Sequence, residues 1–317
     1  MVRRLNILII LIHVLLLGAC QLSQPVVAVT VYPVEYLVRR IAGDRVETRM
    51  LSDGITITRA QAHPEFSQRL SQSNVIFYFG QLEPYVVLVQ SDLQDSRLPL
   101  VNLTTQAGVY RFQRYTTTLV NGLQVTQESA YYEGSSFANV DMYETDPILW
   151  LDPITMLSMA GTLRNWLVDN FPEERSLFNR NYEQLELELA RLDASYQELR
   201  FRDIAFVSVT PSFGNWQRAY GIRVYPLILS RFGVLPTEQQ LQLMLTRIAQ
   251  DGVRTIALEP NLTPDMMALF TRVRDELELD VIELHNLSFL TQADRDANKN
   301  YLTIMYENLS ALESILP

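Results

Sequence analysis

Beyond its first twenty residues this chain holds two histidines, His63 and His285, and no cysteine, so its means of gripping a borderline-soft metal are few. Two imidazoles joined by a carboxylate, Glu259 or Asp146, would make a zinc-competent set if the fold brought them within about 2 Å of one ion. The same residues have plainer uses. His63 stands before Pro64 at a helix start, and His285 follows a strand-like run, where ligand contact and simple hydrogen bonding are equally open. Asp146 and Asp152 flank prolines in a turn-like segment and suit helix caps. Tyr32, Tyr85, Phe213 and Trp216 could line a pocket for an organic solute or lie in an ordinary core. Nucleophilic and phosphate chemistry find no support: there is no Gly-x-Ser-x-Gly elbow, no His-Glu-x-x-His pair and no glycine loop for phosphate, so the chain reads as a non-enzyme.

Cys20 closes the run Leu17-Gly18-Ala19-Cys20, after an apolar stretch from Ile7 to Leu17 that follows Arg3 and Arg4. Basic residues that stay inside, an apolar segment too short to span comfortably, and small residues before a cysteine form the pattern of a lipoprotein export signal. Cleavage would leave Cys20 as a lipidated first residue, anchoring the protein outside the cytoplasmic membrane, in the periplasm or at the cell surface. Removing Arg3 and Arg4 from 26 basic residues, against 36 acids, leaves a net charge of -12. That balance excludes a nucleic-acid partner. With no second cysteine, apolar cores must hold the fold without an intramolecular disulfide.

The elements that must position these residues alternate strand and helix. Val26–Tyr32 is β-branched and leads into a helical pattern ending at Gly43; Val46–Leu51, Val75–Phe79 and Leu100–Leu103 follow as strands. The stretch 108–143 loses periodicity and reads as a surface excursion. From Pro172 one long amphipathic helix is expected, about 40 Å at roughly 1.5 Å per residue, packed along the body of a monomer rather than in a coiled-coil dimer. Strands 204–209, 224–229, 255–258 and 281–284 alternate with helices 237–250 and 264–277, and a final helix is expected over 295–316. The fold class is α/β: two lobes, each a mostly parallel sheet flanked by helices, joined by one long rigid helix. The divisions are a signal peptide over 1–19, an N-terminal lobe over 20–171, a linking helix over 172–200 and a C-terminal lobe over 201–317.

Several segments, in order, resemble the solute-binding lipoproteins of zinc and manganese ABC importers, the family of zinc-uptake proteins and adhesin-type metal binders. They are Val29-Thr30-Val31-Tyr32-Pro33 with Arg40-Ile41-Ala42-Gly43-Asp44, Val75 to Gly80 with Leu82-Glu83-Pro84, Asp146 to Pro153, Phe213-Gly214 with Arg218 to Gly221, and Glu259-Pro260. The resemblance implies two lobes moving little about a rigid helix, a metal held between them, and a permease with a cytoplasmic ATPase as partners. It also implies four ligand positions, which here fall on Thr58, Ile148, Thr210 and His285. Thr58, Ile148 and Thr210 offer no charge, and a branched hydrocarbon offers no lone pair, so the implied metal site reads as degenerate. Zinc or manganese would bind only if His63, His285 and Glu259 rebuilt a site elsewhere in the cleft. The leading expectation is a metal-importer binding protein whose metal binding is altered or lost. The alternative is a scaffold reused for surface adhesion and protein interaction, or for a non-metal solute.

Overall fold

The computed structural model describes residues 24–316 except Ile55, Gln113, 121–122, 130–133 and Asn261. Cys20 and the export-signal reading lie outside the described residues. The strands, in chain order, are β1 (Val26–Val29), β2 (Glu47–Met50), β3 (Ser52–Asp53), β4 (Gln61–Ala62), β5 (Val75–Tyr78), β6 (Leu100–Asn102), β7 (Arg114–Val120), β8 (Leu123–Ser129), β9 (Ala205–Ser208), β10 (Arg223–Pro226), β11 (Thr255–Leu258) and β12 (Asp280–Glu283). Two four-stranded parallel sheets result, ordered β2-β1-β5-β6 and β10-β9-β11-β12. Each central strand reads as an apolar run because helices cover both faces of its sheet. In both sheets the order reverses beside the first strand, and in such folds the carboxyl ends of the strands at that point form a ligand crevice.

The expected long helix exists with a modified start. Pro172–Glu174 form a tight 3-10 turn, and the α-helix runs Arg175–Gln197, 23 residues or about 34 Å. Phe178, Leu185, Leu189, Leu192 and Tyr196 are its buried stripe. It packs on helices Pro153–Asn170 and Tyr32–Ala42 of the first lobe and on helix Tyr301–Ser314, where the Tyr196 hydroxyl donates to the Met305 carbonyl at 2.7 Å. The helix therefore spans both lobes inside one chain.

Three details differ from the sequence reading. Within 108–143 the chain forms the antiparallel hairpin β7–β8, which lies against β10 and helix Gly214–Tyr220. The expected last helix is two helices, Gln292–Asp296 and Tyr301–Ser314, because Asn298 turns left-handed at φ 53° and Asn300 caps the second by accepting from Thr303 N. Helix Pro153–Asn170 was not legible beyond its cap. It begins where Asp152 accepts from Ile154 N at 3.0 Å and Thr155 Oγ1 at 2.7 Å, the capping role that its place before Pro153 suggested.

Segment 146–153 crosses from one lobe to the other and is fastened there. Trp150 Nε1 donates to the Asn286 carbonyl at 2.7 Å, and the Tyr301 hydroxyl donates to the Trp150 carbonyl at 2.6 Å. Asn215 Nδ2 donates to the Ile148 carbonyl and Trp216 Nε1 to that of Leu151. Trp150 and Trp216 are both wholly buried, so each is core with a satisfied N–H.

Candidate solute site between the lobes

Thr58 sits in a one-turn 3-10 helix, Ile57–Arg59, which follows a tight corner at Gly54. Gly54 has φ 133°, and a Cβ there would meet Ala60 Cα at 2.9 Å, so the corner requires glycine. The Thr58 hydroxyl is buried and pairs with Thr56 Oγ1 at 3.2 Å. The second lobe presses on this turn at Gly233, where an added Cβ would come within 3.2 Å of Thr58 Oγ1.

The next residue forms a clasp between the lobes. Arg59 Nη1 and Nη2 donate to the two carboxylate oxygens of Asp265 at 2.9 and 2.8 Å, while Nη1 also reaches Thr263 Oγ1 and Nη2 the Gly233 carbonyl. These guanidinium bonds hold the Asp265 carboxyl well below the usual carboxylate range. Because both partners are partly exposed, the pair is a modest tie rather than a large stabiliser. Arg59→Ala is expected to lower the melting temperature by only roughly 1–3 °C. The same change should measurably speed amide exchange over 229–235; unchanged exchange there would dismiss the clasp.

On the second lobe Thr210 is bound to Glu259. The fully buried Glu259 carboxylate accepts from Thr210 N at 3.0 Å, Thr210 Oγ1 at 2.6 Å, Ser212 Oγ at 3.1 Å and Asn286 Nδ2 at 2.8 Å. Burial pushes its pKa up, and the donors from Thr210, Asn286 and Ser212 pull it back. Four donors leave this carboxylate little capacity for an ion. Ile148 is 1% exposed, a hydrocarbon in the seam beside Asn215.

The two histidines line different cavities. His63 borders an inter-lobe cavity of about 610 Å³ with Tyr32, Asp53, Pro260 and Arg295, and its Nδ1 accepts from Glu65 N at 3.0 Å. His285 borders a cavity of about 520 Å³ with Asp294, Lys299 and Glu307. Its Nδ1 accepts from Leu287 N at 2.8 Å, so Nε2 carries the proton and donates to Asp294 Oδ2 at 3.2 Å. Burial is the leading influence on the His285 ring and lowers its pKa against the pull of Asp294. Both ring nitrogens are in use, and ligation would require giving one up. Among the described residues no group of three or more His, Cys, Asp or Glu is placed to hold a metal ion.

Sequence reasoning missed Glu83. It is wholly buried at the start of helix Pro84–Leu88, accepts from Phe79 N at 2.6 Å through Oε2, and has its pKa raised by burial to about 7. The available signal was its place between Leu82 and Pro84, which reads equally as a solvated loop.

A two-lobed α/β body with a polar seam at the strand ends, tied by a spanning helix, is the scaffold of a solute-binding protein of the zinc-uptake class, as the family match shows. The chain belongs to the family described as zinc-uptake complex component A, periplasmic, which matches residues 27–315; this is a family of solute-binding proteins, not of enzymes. The zinc-binding lipoprotein AdcA of Streptococcus pneumoniae is 20% identical over 320 residues, 98% of this chain. This chain spans 60% of that relative's length. The high-affinity zinc uptake system protein ZnuA of Bacillus subtilis is 22% identical over 176 residues, covering 54% of this chain and 53% of its own. In fold, the Zn(II)-bound ZnuA-like domain of pneumococcal AdcA superposes with a TM-score of 0.68 at 20% identity, covering 92% of this chain and 98% of that one. A laminin-binding adhesin of Streptococcus agalactiae, in a mutant form, does so at 0.71 and 18% identity, over 92% and 99%.

Proposed function

We propose that this chain is an extracytoplasmic solute-binding lipoprotein of a zinc-type ABC importer in which the inherited metal ligands have been replaced, so that zinc and manganese are no longer held as in its relatives. The lipid anchor is Cys20, the partners are the permease and its ATPase, and the lobes are 20–171 and 201–317 with 172–200 between them. The observation that carries the reading is the pairing of Thr210 with Glu259 together with the burial of Ile148: one inherited position is a hydroxyl already engaged, another is hydrocarbon. Zinc needs imidazole, thiolate or carboxylate donors in a near-tetrahedral set, and these side chains do not fit one. His63 and His285, in separate cavities, would have to be rearranged before they could replace it.

The test is metal analysis of the purified protein with thermal unfolding in the presence of zinc and of manganese. The expected outcome is substoichiometric metal and an unmoved melting temperature, because a ligand that binds only the folded state must raise it. Near-stoichiometric zinc with a clear upward shift would sink the reading and favour a site rebuilt on His63, His285 and Glu259.

A further inference from the structure

We propose that the inter-lobe cavity lined by Asp53, His63 and Arg295 takes a small zwitterion with an apolar side chain, an amino acid or short peptide, its carboxylate on Arg295 and its ammonium on Asp53. The proposal rests on the reading that the zinc ligands have been replaced, and it names what the altered cleft would take instead. The place suits a solute. Met50 ends β2 and Pro260 lies two residues past the end of β11, so the carboxyl ends of strands from both sheets contribute to the cavity. Its volume of about 610 Å³ is that of a pocket for an organic ligand.

The charges that line it fall into two sets. Arg69 and Glu35 are already paired. Arg69 donates to Glu65 Oε2 through Nε and Nη2 and to the Met50 carbonyl through Nη1 at 2.7 Å, and Glu35 holds Arg39 at 2.7 Å. Asp53 and Arg295 remain. Among the described residues neither side chain has a hydrogen-bond or ion-pair partner, and they do not pair with each other. The Arg295 charge is felt by the Tyr32 phenol on the cavity wall. His63 adds a donor, because its Nδ1 accepts from Glu65 N and the proton therefore sits on Nε2.

One unpaired cation and one unpaired anion in a single cavity select a solute that carries both charges. A simple carboxylate would leave Asp53 without a partner and a simple amine would leave Arg295 without one, whereas a zwitterion answers each. The guanidinium offers a planar fork that matches a carboxylate, and the Asp53 oxygens accept from an ammonium. Both side chains are exposed, so each ion pair alone is modest and the apolar part of the solute must contribute. Met50, Phe289 and Leu290 line the same cavity and supply apolar surface for it.

The experiment compares thermal unfolding of the wild type, Asp53→Asn and Arg295→Gln in equal concentrations of L-leucine, L-leucyl-L-leucine, leucinamide and N-acetylleucine. Supplied at about 10 mM, near 100 times its Kd, the better of leucine and leucyl-leucine is expected to raise the wild-type melting temperature by roughly 4 °C. Which of the two is better tells an amino acid from a peptide. Leucinamide lacks the carboxylate and N-acetylleucine the ammonium, and each should give less than half of that rise. Arg295→Gln should respond to leucine no more than to leucinamide, and Asp53→Asn no more than to N-acetylleucine. Both substitutions fall on exposed side chains, so the fold should persist. No shift with either zwitterion would overturn the proposal, as would a rise that leucinamide and N-acetylleucine reproduce or that both variants retain. A zinc titration run in parallel keeps two failures apart: tight zinc binding by the wild type defeats the parent reading and this one with it, while no zinc binding and no leucine effect defeat the zwitterion site alone.

Discussion

Replacing Thr58, Ile148 and Thr210 together by histidine is expected to raise zinc affinity by roughly three orders of magnitude or more, read by competition against a chromophoric chelator. The second lobe is prepared for it. Glu259 Oε2 lies 2.6 Å from Thr210 Oγ1, so an imidazole at position 210 would meet a buried carboxylate able to accept one ring N–H and turn the other nitrogen toward the cleft. Adding Glu259→Gln to the triple variant should then cost roughly 10–100-fold in affinity, the usual effect of losing a carboxylate behind a ligating histidine. The backbone of Ile148 is fixed independently of its side chain by the bond from Asn215 to its carbonyl, so that position stays in place when the side chain changes. Burying an imidazole there should lower the metal-free stability by roughly 1–3 kcal/mol, which the unfolding curve of each variant checks. A folded triple variant with no gain in zinc affinity would show that the three positions no longer converge, and that the cleft has lost its metal geometry along with its ligands.

The legibility of this chain follows from what burial does to pattern. The runs Val26–Val29 and Val75–Tyr78 read as strands because their sheet is covered on both faces, so every side chain is apolar or nearly so. The stripe from Phe178 to Tyr196 read as a helix because only one side of Arg175–Gln197 is buried. Helix Pro153–Asn170 failed the same test for the opposite reason. Met156, Met159, Leu163 and Leu167 are buried, but apolar Ile154, Leu157 and Trp166 occupy the remaining faces, and the period vanishes. The hairpin β7–β8 is rich in Thr and Gln, and its few apolar residues, Tyr115, Leu119, Val120, Leu123 and Val125, are too sparse to stand out as half-buried strands. Positions 58, 148 and 210 are those that the family resemblance implies by spacing, and spacing carries nothing about what surrounds them. Arg59 and Glu83 were not legible: whether an arginine clasps the other lobe, or a glutamate is drowned in apolar surroundings, depends on contacts more than a hundred residues apart in one case and on tertiary burial in the other.

The buried carboxyl of Glu83 should make stability depend on pH in a direction opposite to that of a paired surface carboxylate. Its pKa is about 7 in the folded chain against an ordinary 4.5, with burial as the dominant cause and bonds from Thr30 and Phe79 opposing it. A folded-state value above the unfolded one means that the folded protein holds this proton more tightly. The stabilisation is complete below about pH 4.5, declines as the unfolded chain ionises between 4.5 and about 7, and is gone above that. The gap between the two values corresponds to about 3 kcal/mol. Burial also raises the Glu259 and Asp152 carboxyls, so the whole-protein curve mixes several groups, and the difference between wild type and Glu83→Gln isolates one. Glutamine keeps an acceptor for Phe79 N and cannot ionise. Glu83→Gln should match the wild type near pH 4 and exceed it by about 3 kcal/mol near pH 8, with most of the divergence between pH 5 and 7. Parallel stability curves across that range would mean that Glu83 ionises as freely in the fold as in water, and its burial as the cause of a raised pKa would have to be abandoned.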